Sequence, residues 1–133
     1  MRPSRTFGTF FTLTGVMHFL APDWYEAIVP PRMPAKRGFV YGSGIAEILG
    51  GVGVMFRATR RAASVVSMAT VLAVFPANLY MATDPERFEK KVPGGRVTLY
   101  ARLPLQVALM AWAHAAGRRL EAESPRGSFR SCG

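Results

Sequence analysis

Five polar side chains interrupt segments of the chain that are otherwise apolar. They are His18, Glu47, Asn78, Arg102 and Gln106. An acid, two basic groups and two amides can hold a small polar group by hydrogen bonds or pass a proton, and ionisable residues within apolar helices often mark such sites. These residues form a candidate polar site, provided that the helices carrying them come together.

Other kinds of chemistry find little support in the sequence. The two histidines, His18 and His114, fall at opposite ends of the predicted bundle, so one haem cannot use both. No cluster has the spacing of metal ligands, and no glycine-rich phosphate loop or Ser-His-Asp arrangement is present. The single cysteine, Cys132, excludes a dithiol oxidoreductase. We therefore assign no catalytic residue and expect no metal; the chain fits a non-catalytic subunit better than an enzyme on its own.

The charged residues are gathered in blocks that leave long apolar segments between them. Of the 133 residues, 50% are hydrophobic and 19% are charged, against about 25% charged in an average soluble domain. Lys and Arg that flank apolar segments are typical of membrane proteins. The net charge of +9 therefore does not indicate nucleic acid, since a nucleic-acid-binding protein sets its basic residues along one surface.

Four apolar segments are predicted to span a lipid bilayer, at about residues 6–21, 38–56, 62–82 and 97–116. Helices of about 20 residues match a hydrocarbon core about 30 Å thick. A soluble four-helix bundle is the alternative, but each of its helices would need a charged outer stripe, and the third segment has none. We predict an all-α, four-helix transmembrane bundle that forms one domain over residues 1–120.

The flanking residues predict how this bundle lies in the membrane. Arg2 and Arg5 precede the first segment as in a signal peptide, but no small-residue cleavage site follows, so we expect it to be retained. Basic residues near the span ends favour an N-in, C-in protein of the cytoplasmic (inner) membrane. A short interfacial helix around Trp24 and Tyr25 and a proline-rich turn are expected after the first span. Residues 121–133 are expected to be disordered.

Small residues on the second segment predict close helix packing. Gly42, Ala46, Gly50 and Gly53 are spaced by four, four and three residues and share one helix face. Small residues at this spacing allow two membrane helices, or two copies of the chain in a homo-oligomer, to approach closely.

Alternating helix directions bring the five polar residues into the outer half of the bundle. Glu47 lies near the middle of its helix, where a carboxylate costs several kcal/mol unless it is protonated, paired or solvated. Arg102 is its expected partner, either directly or through Gln106 or a water molecule. The sequence therefore predicts a Glu47–Arg102 contact.

Each of these residues also has a structural interpretation. Glu47 can simply bridge helices, and Arg102 can extend its charge to the outer interface. Pro76 frees a backbone carbonyl one turn earlier, so Asn78 can repair the helix instead of binding a ligand. His18 can cap the first helix.

Several motifs occur in a recognisable order between residues 15 and 113. They are Gly15-Val-Met-His-Phe19, Pro22-Asp23, Val29-Pro-Pro31, Gly42-Ser-Gly-Ile-Ala-Glu-Ile-Leu-Gly-Gly51, Thr59-Arg-Arg61, Val74-Phe-Pro-Ala-Asn-Leu-Tyr-Met-Ala82, Arg102-Leu-Pro-Leu-Gln106 and Ala111-Trp-Ala113. In order and spacing they resemble the DoxX-like family of small bacterial membrane proteins.

The resemblance implies four helices in the cytoplasmic membrane and a link to membrane redox complexes. The family takes its name from a subunit associated with a quinol oxidase or a thiosulfate:quinone oxidoreductase. An accessory or quinone-interacting subunit is the function it implies, with the lipid bilayer and oxidoreductase subunits as partners and a quinone as the ligand. A pathway for protons or small solutes, and a membrane scaffold without chemistry, remain as alternatives.

Overall fold

Helices make up most of the part of the chain that the structure describes. The computed structural model describes residues 3–118. They form α1 (Pro3–Leu20), α2 (Pro22–Ile28), α3 (Lys36–Gly53), α4 (Arg60–Ala73), α5 (Phe75–Thr83), α6 (Pro85–Phe88) and α7 (Gly95–Arg118). No strand occurs in this range. The predicted all-α fold is confirmed, whereas the tail predicted to be disordered and Cys132 lie outside the described residues.

Four long elements run up and down beside one another: α1, α3, the α4–α5 pair and α7. α1 packs on α3, α3 on α4, and α4 on α7. The ring closes where Phe7 at the start of α1 meets Trp112 near the end of α7, with 5.3 Å between ring centroids. We call the end that carries α2 and α6 the α2 end, and the end that carries the turn at residues 54–59 the Arg60 end.

The third predicted span is not one continuous helix. It divides into α4 and α5 at Val74. Pro76 occupies the first turn of α5, the one part of a helix where a residue without a backbone N–H is tolerated. Pro76 therefore lies just after a break between two helices. The segment after the first span does form a short helix, α2, with Pro22 in its first turn.

The close approach of α1 to α3 depends on glycines that the sequence pattern did not single out. A Cβ atom on Gly51 would lie 2.6 Å from the backbone nitrogen of Thr12 and 2.7 Å from the carbonyl oxygen of Gly8. A Cβ atom on Gly15 would lie 2.7 Å from the carbonyl oxygen of Gly44. A change of rotamer cannot relieve contacts with backbone atoms, so these positions require glycine.

Of the small residues predicted to form the packing face of α3, only Gly50 and Gly53 pack closely on α4. A Cβ atom on Gly53 would lie 2.6 Å from the Cβ atom of Ala63 on α4, and one on Gly50 would overlap the hydroxyl of Ser67. Gly42 has nothing within 4 Å of its Cβ position. Gly42 and Ala46 line a groove between α3 and α4, because the two helices separate toward the α2 end. The prediction of close packing at Gly42 is therefore corrected.

Large apolar side chains cover the outside of the bundle, while several polar side chains lie inside. Side chains at least 60% exposed occur on all four long elements: Leu13, Leu20, Leu49, Val65, Leu72, Val97 and Val107. The buried polar residues are Ser4, His18, Glu47, Arg60, Ser64, Ser67, Thr70 and Gln106. A helix on the surface of a water-soluble bundle normally turns a polar face outward.

One helical run within residues 3–118, Arg60–Thr83, is long and apolar enough by length and composition to cross a membrane. The other three predicted spans do not reach that standard. The core helix of a soluble protein passes the same test, but such a helix is mostly buried, and here only 33% of the most apolar window is buried. Length and composition thus identify one candidate span in the part of the chain that the structure describes.

We expect Gly51→Ala to lower the free energy of unfolding by about 1–3 kcal/mol, because an added methyl group forces the backbones of α1 and α3 apart. Gly42→Ala is the matched control, since nothing lies near its Cβ position. The control is expected to leave stability unchanged or to raise it by up to about 1 kcal/mol through helix propensity. Thermal unfolding in one detergent measures both variants, and equal midpoints would contradict the requirement for glycine at position 51.

Candidate functional site

A cavity of about 270 Å³ lies between the helices near the α2 end. All five polar residues proposed from the sequence line it: His18, Glu47, Asn78, Arg102 and Gln106. They come from four different helices, so only the packing of the bundle brings them together. Most of the remaining lining is apolar or aromatic and includes Phe11, Tyr25, Phe39, Val40 and Leu109.

His18 and Glu47 form the wall that α1 and α3 contribute. The His18 Nδ1 atom donates to the carbonyl oxygen of Thr14 at 2.9 Å, and the ring stacks on Tyr25 with centroids 3.9 Å apart. The same nitrogen lies 3.8 Å from Glu47 Oε2, which is too far for a hydrogen bond. Burial raises the pKa of the Tyr25 phenol above its ordinary value, so this hydroxyl keeps its proton near neutral pH.

The Glu47 carboxyl group is only partly satisfied. Its side chain is 9% exposed, and Oε2 has no hydrogen-bond partner. The neighbouring Thr14 hydroxyl lies close enough to interact with the Glu47 carboxyl group, and it donates its proton to the carbonyl oxygen of Phe11 at 2.8 Å. Because a hydroxyl has one proton to donate, this bond occupies the Thr14 donor, and Oε2 is left without a hydrogen-bond partner.

Two amide side chains form a chain of hydrogen bonds on another wall. Asn78 Nδ2 donates to Gln106 Oε1 at 2.8 Å, and Gln106 Nε2 donates to the carbonyl oxygen of Val71. Val71 lies in the last turn of α4, just before the helix break near Pro76. Gln106 therefore satisfies the backbone at the break, and the interpretation that Asn78 does so is corrected.

The predicted direct contact between Glu47 and Arg102 is not formed. The guanidinium of Arg102 lies over Trp24, 5.4 Å from the ring centroid, which is a cation–π distance. Within residues 3–118, the basic side chain that comes within 4 Å of the Glu47 carboxyl group is that of His18. The reason is that α2 brings an aromatic ring over this end of the bundle. Glu47 and Arg102 nevertheless line the same cavity, so one small molecule can touch both.

Helix α2 closes the end of the cavity and contributes Tyr25, Ile28 and Val29 to its lining. Arg37 at the start of α3 holds α2 in place by pairing with Asp23 and with Glu26, the latter at 2.5 Å. Trp24 Nε1 donates to the carbonyl oxygen of Lys91 at 3.2 Å. The sequence placed α2 at an interface but did not reveal that it forms part of the site.

The cavity ends inside the bundle. Toward the Arg60 end lies an apolar core of Phe7, Phe11, Val54, Ala63, Val71, Ala113 and Ala116. The hydroxyls of Ser64 and Ser67 in this region donate to the carbonyl oxygens of Ala113 at 2.7 Å and Ala63 at 2.9 Å. Gly50 packs closely on Ser67. Because these polar groups are satisfied by the protein and tightly packed, the cavity is a pocket and not a passage.

One side of the cavity reaches the apolar surface between α1 and α7. Phe10 and Leu105 line the cavity and are also 41% and 53% exposed. α1 and α7 share the least extensive of the four interfaces around the ring, and aromatic contacts of Phe7 and Phe10 with Trp112 hold it together toward the Arg60 end. Nearer the α2 end, the pocket therefore opens sideways.

Comparison with known proteins gives one match. A family model described as a domain of unknown function (DUF8561) covers residues 7–117. No curated protein and no solved structure matches the chain. The resemblance to DoxX-like proteins stays a prediction from sequence motifs. Within residues 3–118, no group of three His, Cys, Asp or Glu side chains is arranged to hold a metal ion.

We expect Gln106→Leu to lower the free energy of unfolding by about 1–3 kcal/mol, because it leaves the Val71 carbonyl and the Asn78 amide without partners. Val107→Leu is the control, because the side chain of Val107, next to Gln106 in the chain, is 71% exposed. A change at an exposed position is expected to alter the free energy of unfolding by no more than about 0.5 kcal/mol. Thermal unfolding of both variants measures the difference. A midpoint for Gln106→Leu equal to that of the control would contradict the hydrogen-bond chain.

Proposed function

The chain belongs to the family described as a domain of unknown function (DUF8561), and we propose that it is a four-span membrane protein that binds the head group of a lipid-soluble molecule. Quinones are the leading candidates, and the corresponding role is that of an accessory or quinone-interacting subunit of a membrane redox complex. One observation carries this proposal: a pocket lined by five polar side chains lies inside a bundle whose outer surface is largely apolar.

The distribution of exposed side chains supports a lipid surround for all four long elements. Mean hydropathy counts every residue of a helix, whereas lipid contacts only the residues that face outward. In α3, Glu47 and the closely packed glycines Gly50 and Gly51 are buried, while Ile45 and Leu49 are exposed. Exposed apolar surface on this scale is costly in water. A helix of 18 residues is about 27 Å long at about 1.5 Å per residue, close to the hydrocarbon thickness.

The charges at the two ends support the N-in, C-in orientation. Arg5, Arg57, Arg61 and Arg118 are exposed at the Arg60 end. Basic residues also occur at the α2 end, among them Lys36, Arg37 and Arg96, so the orientation rests on the density of Lys and Arg close to the span ends and on the first helix. Because Lys and Arg near span ends mark the cytoplasmic side, this orientation puts the pocket in the outer half of the inner membrane.

The shape and polarity of the pocket suit a ring-sized head group. Its volume of about 270 Å³ is just below the range of pockets that enclose whole drug-sized ligands, about 300–1,000 Å³. Arg102 and the wall of His18 and Glu47 offer polar groups from different helices, which suits a ring with oxygens on opposite edges. The opening beside Phe10 and Leu105 leaves room for an apolar tail in the lipid.

The two alternative functions fit the pocket less well. A proton or solute pathway needs polar groups through the whole bundle, but Ser64 and Ser67 are satisfied by backbone carbonyls and surrounded by tight packing. A scaffold without chemistry would satisfy its buried polar groups, as most folded proteins do. The unpartnered oxygen of Glu47 is an exception of the kind found at binding sites.

The membrane location is tested by alkaline carbonate extraction of cells that produce the full chain. We expect the protein to stay in the membrane pellet and to require detergent for release, because lipid contacts its exposed apolar side chains. Recovery of the intact chain as a monomer in detergent-free buffer would overturn the four-span proposal.

Quinone binding is tested with the chain in lipid nanodiscs and a decyl-chain ubiquinone analogue. We expect Arg102→Leu to weaken binding by about tenfold or more, since a hydrogen bond from a charged group contributes about 1.5–3 kcal/mol. Arg96→Leu is the control, because Arg96 lies on the same helix but pairs with Glu89 at 2.6 Å, away from the pocket lining. Binding by wild type no stronger than partition into empty nanodiscs would contradict the proposed function.

A further inference from the structure

We propose that the pocket selects a head group that donates a hydrogen bond to Glu47, so that it binds a hydroquinone more tightly than the corresponding quinone. This inference rests on the proposed function and deepens it by naming the redox form of the ligand. It follows from the hydrogen-bond inventory of the pocket walls.

The donors that lie closest to Glu47 on α1 are already used. His18 Nδ1 faces a carbonyl oxygen, that of Thr14, at 2.9 Å, so this nitrogen must carry its proton and direct it there. The Thr14 hydroxyl directs its proton to the carbonyl oxygen of Phe11. Glu47 Oε2 is left without a partner. On α2, the Tyr25 phenol also lines the pocket but makes no hydrogen bond to Oε2, so this oxygen is available to a donor on a molecule in the pocket.

The need for a donor does not depend on the charge of Glu47. An ionised carboxylate accepts hydrogen bonds at both oxygens and donates none. A protonated carboxyl group that carries its proton on Oε1 and directs it to the Thr14 hydroxyl oxygen leaves Oε2 as a carbonyl oxygen, which still only accepts. The terminal torsion of Glu has a broad, roughly two-fold profile. A small rotation can therefore turn an acceptor oxygen toward the pocket in either state.

The α7 wall of the pocket offers hydrogen-bond donors. Arg102 has only donors, and within residues 3–118 it contacts an aromatic ring, Trp24, and no carboxylate. A hydroxyl group can accept from Arg102 at one edge of a ring while a second hydroxyl donates to Glu47 at the other. A quinone accepts at both edges, so one of its carbonyl oxygens would face the acceptor oxygen of Glu47. The stacked rings of His18 and Tyr25 provide a flat wall for such a ligand.

The test uses four probes that share a decyl chain and carry two, one or no hydrogen-bond donors: a 1,4-hydroquinone with two, its monomethyl ether with one, and its dimethyl ether and the parent quinone with none. Each is titrated anaerobically into nanodiscs that carry the full chain, with empty nanodiscs correcting for lipid partition. Tryptophan fluorescence reports binding, because Trp24 lies over Arg102. We expect the hydroquinone to bind about tenfold or more tightly than the quinone and the dimethyl ether, the range of a hydrogen bond to a charged or buried group.

Glu47→Gln tests whether Glu47 causes the preference for the hydroquinone. The amide keeps the shape of the side chain but adds a donor that a quinone carbonyl can accept, so we expect the preference for hydroquinone to shrink to about twofold or less. Ser43→Ala is the control, because Ser43 also lines the pocket from α3 but its hydroxyl donates to the carbonyl oxygen of Val40 at 2.9 Å. The control should keep the full preference, and matched unfolding midpoints show that both variants fold.

The outcomes separate this inference from the proposed function. Equal binding of all four probes by wild type would overturn the donor requirement and leave a lipid-soluble ligand in place. A preference that persists in full in Glu47→Gln would overturn the role of Glu47. Failure of every probe to bind above partition would overturn the proposed function as well. The expected result is a loss that comes mainly with the second methyl group, because the monomethyl ether keeps one donor for Glu47, and this loss is abolished by Glu47→Gln.

Discussion

The satisfaction of polar groups inside an apolar bundle is the constraint on which the rest of this structure depends. A buried polar group is costly unless it is hydrogen-bonded. Toward the Arg60 end, Ser64 and Ser67 meet this requirement through backbone carbonyls, and α3 packs closely on α4 at Gly50 and Gly53. Toward the α2 end, Glu47 retains an unpartnered oxygen beside an enclosed space. The bundle is thus divided into a structural half and a half suited to binding.

Glycine contacts between α1 and α3 create the acid–base wall of the pocket. A Cβ atom on Gly44 would lie 2.8 Å from that of His18, and one on Gly15 would lie 2.9 Å from that of Glu47. Each polar residue therefore sits opposite a glycine on the neighbouring helix. The missing side chains let the helices approach until the imidazole and the carboxyl group are 3.8 Å apart. Helix packing and site geometry are here the same feature, so a substitution at either glycine is expected to disturb both.

Mean hydropathy identifies one helical run as a candidate span, whereas apolar side chains are exposed on all four long elements. Only Arg60–Thr83 is apolar enough to qualify as a span by composition among the described helices. The polar residues that lower the average of α3 and α7, such as Glu47 and Gln106, are buried. The residues that face outward, such as Leu49 and Val107, are apolar. The arrangement of residues around each helix therefore bears more on the surrounding medium than their mean does.

The sequence by itself determined the all-α class, the approximate bounds of the four long segments and the interruption at Pro76, because these depend on local pattern and on the missing N–H of proline. It also predicted that the five polar residues lie in the same half of the bundle, since alternating helix directions convert chain position into depth. Only the tertiary structure decided which side chains touch. Depth along an axis leaves open the rotation of each helix, and the folding of α2 over the bundle turned Arg102 toward Trp24. Glu47 was thereby left facing His18, a pairing that depends on glycine contacts between helices far apart in the chain.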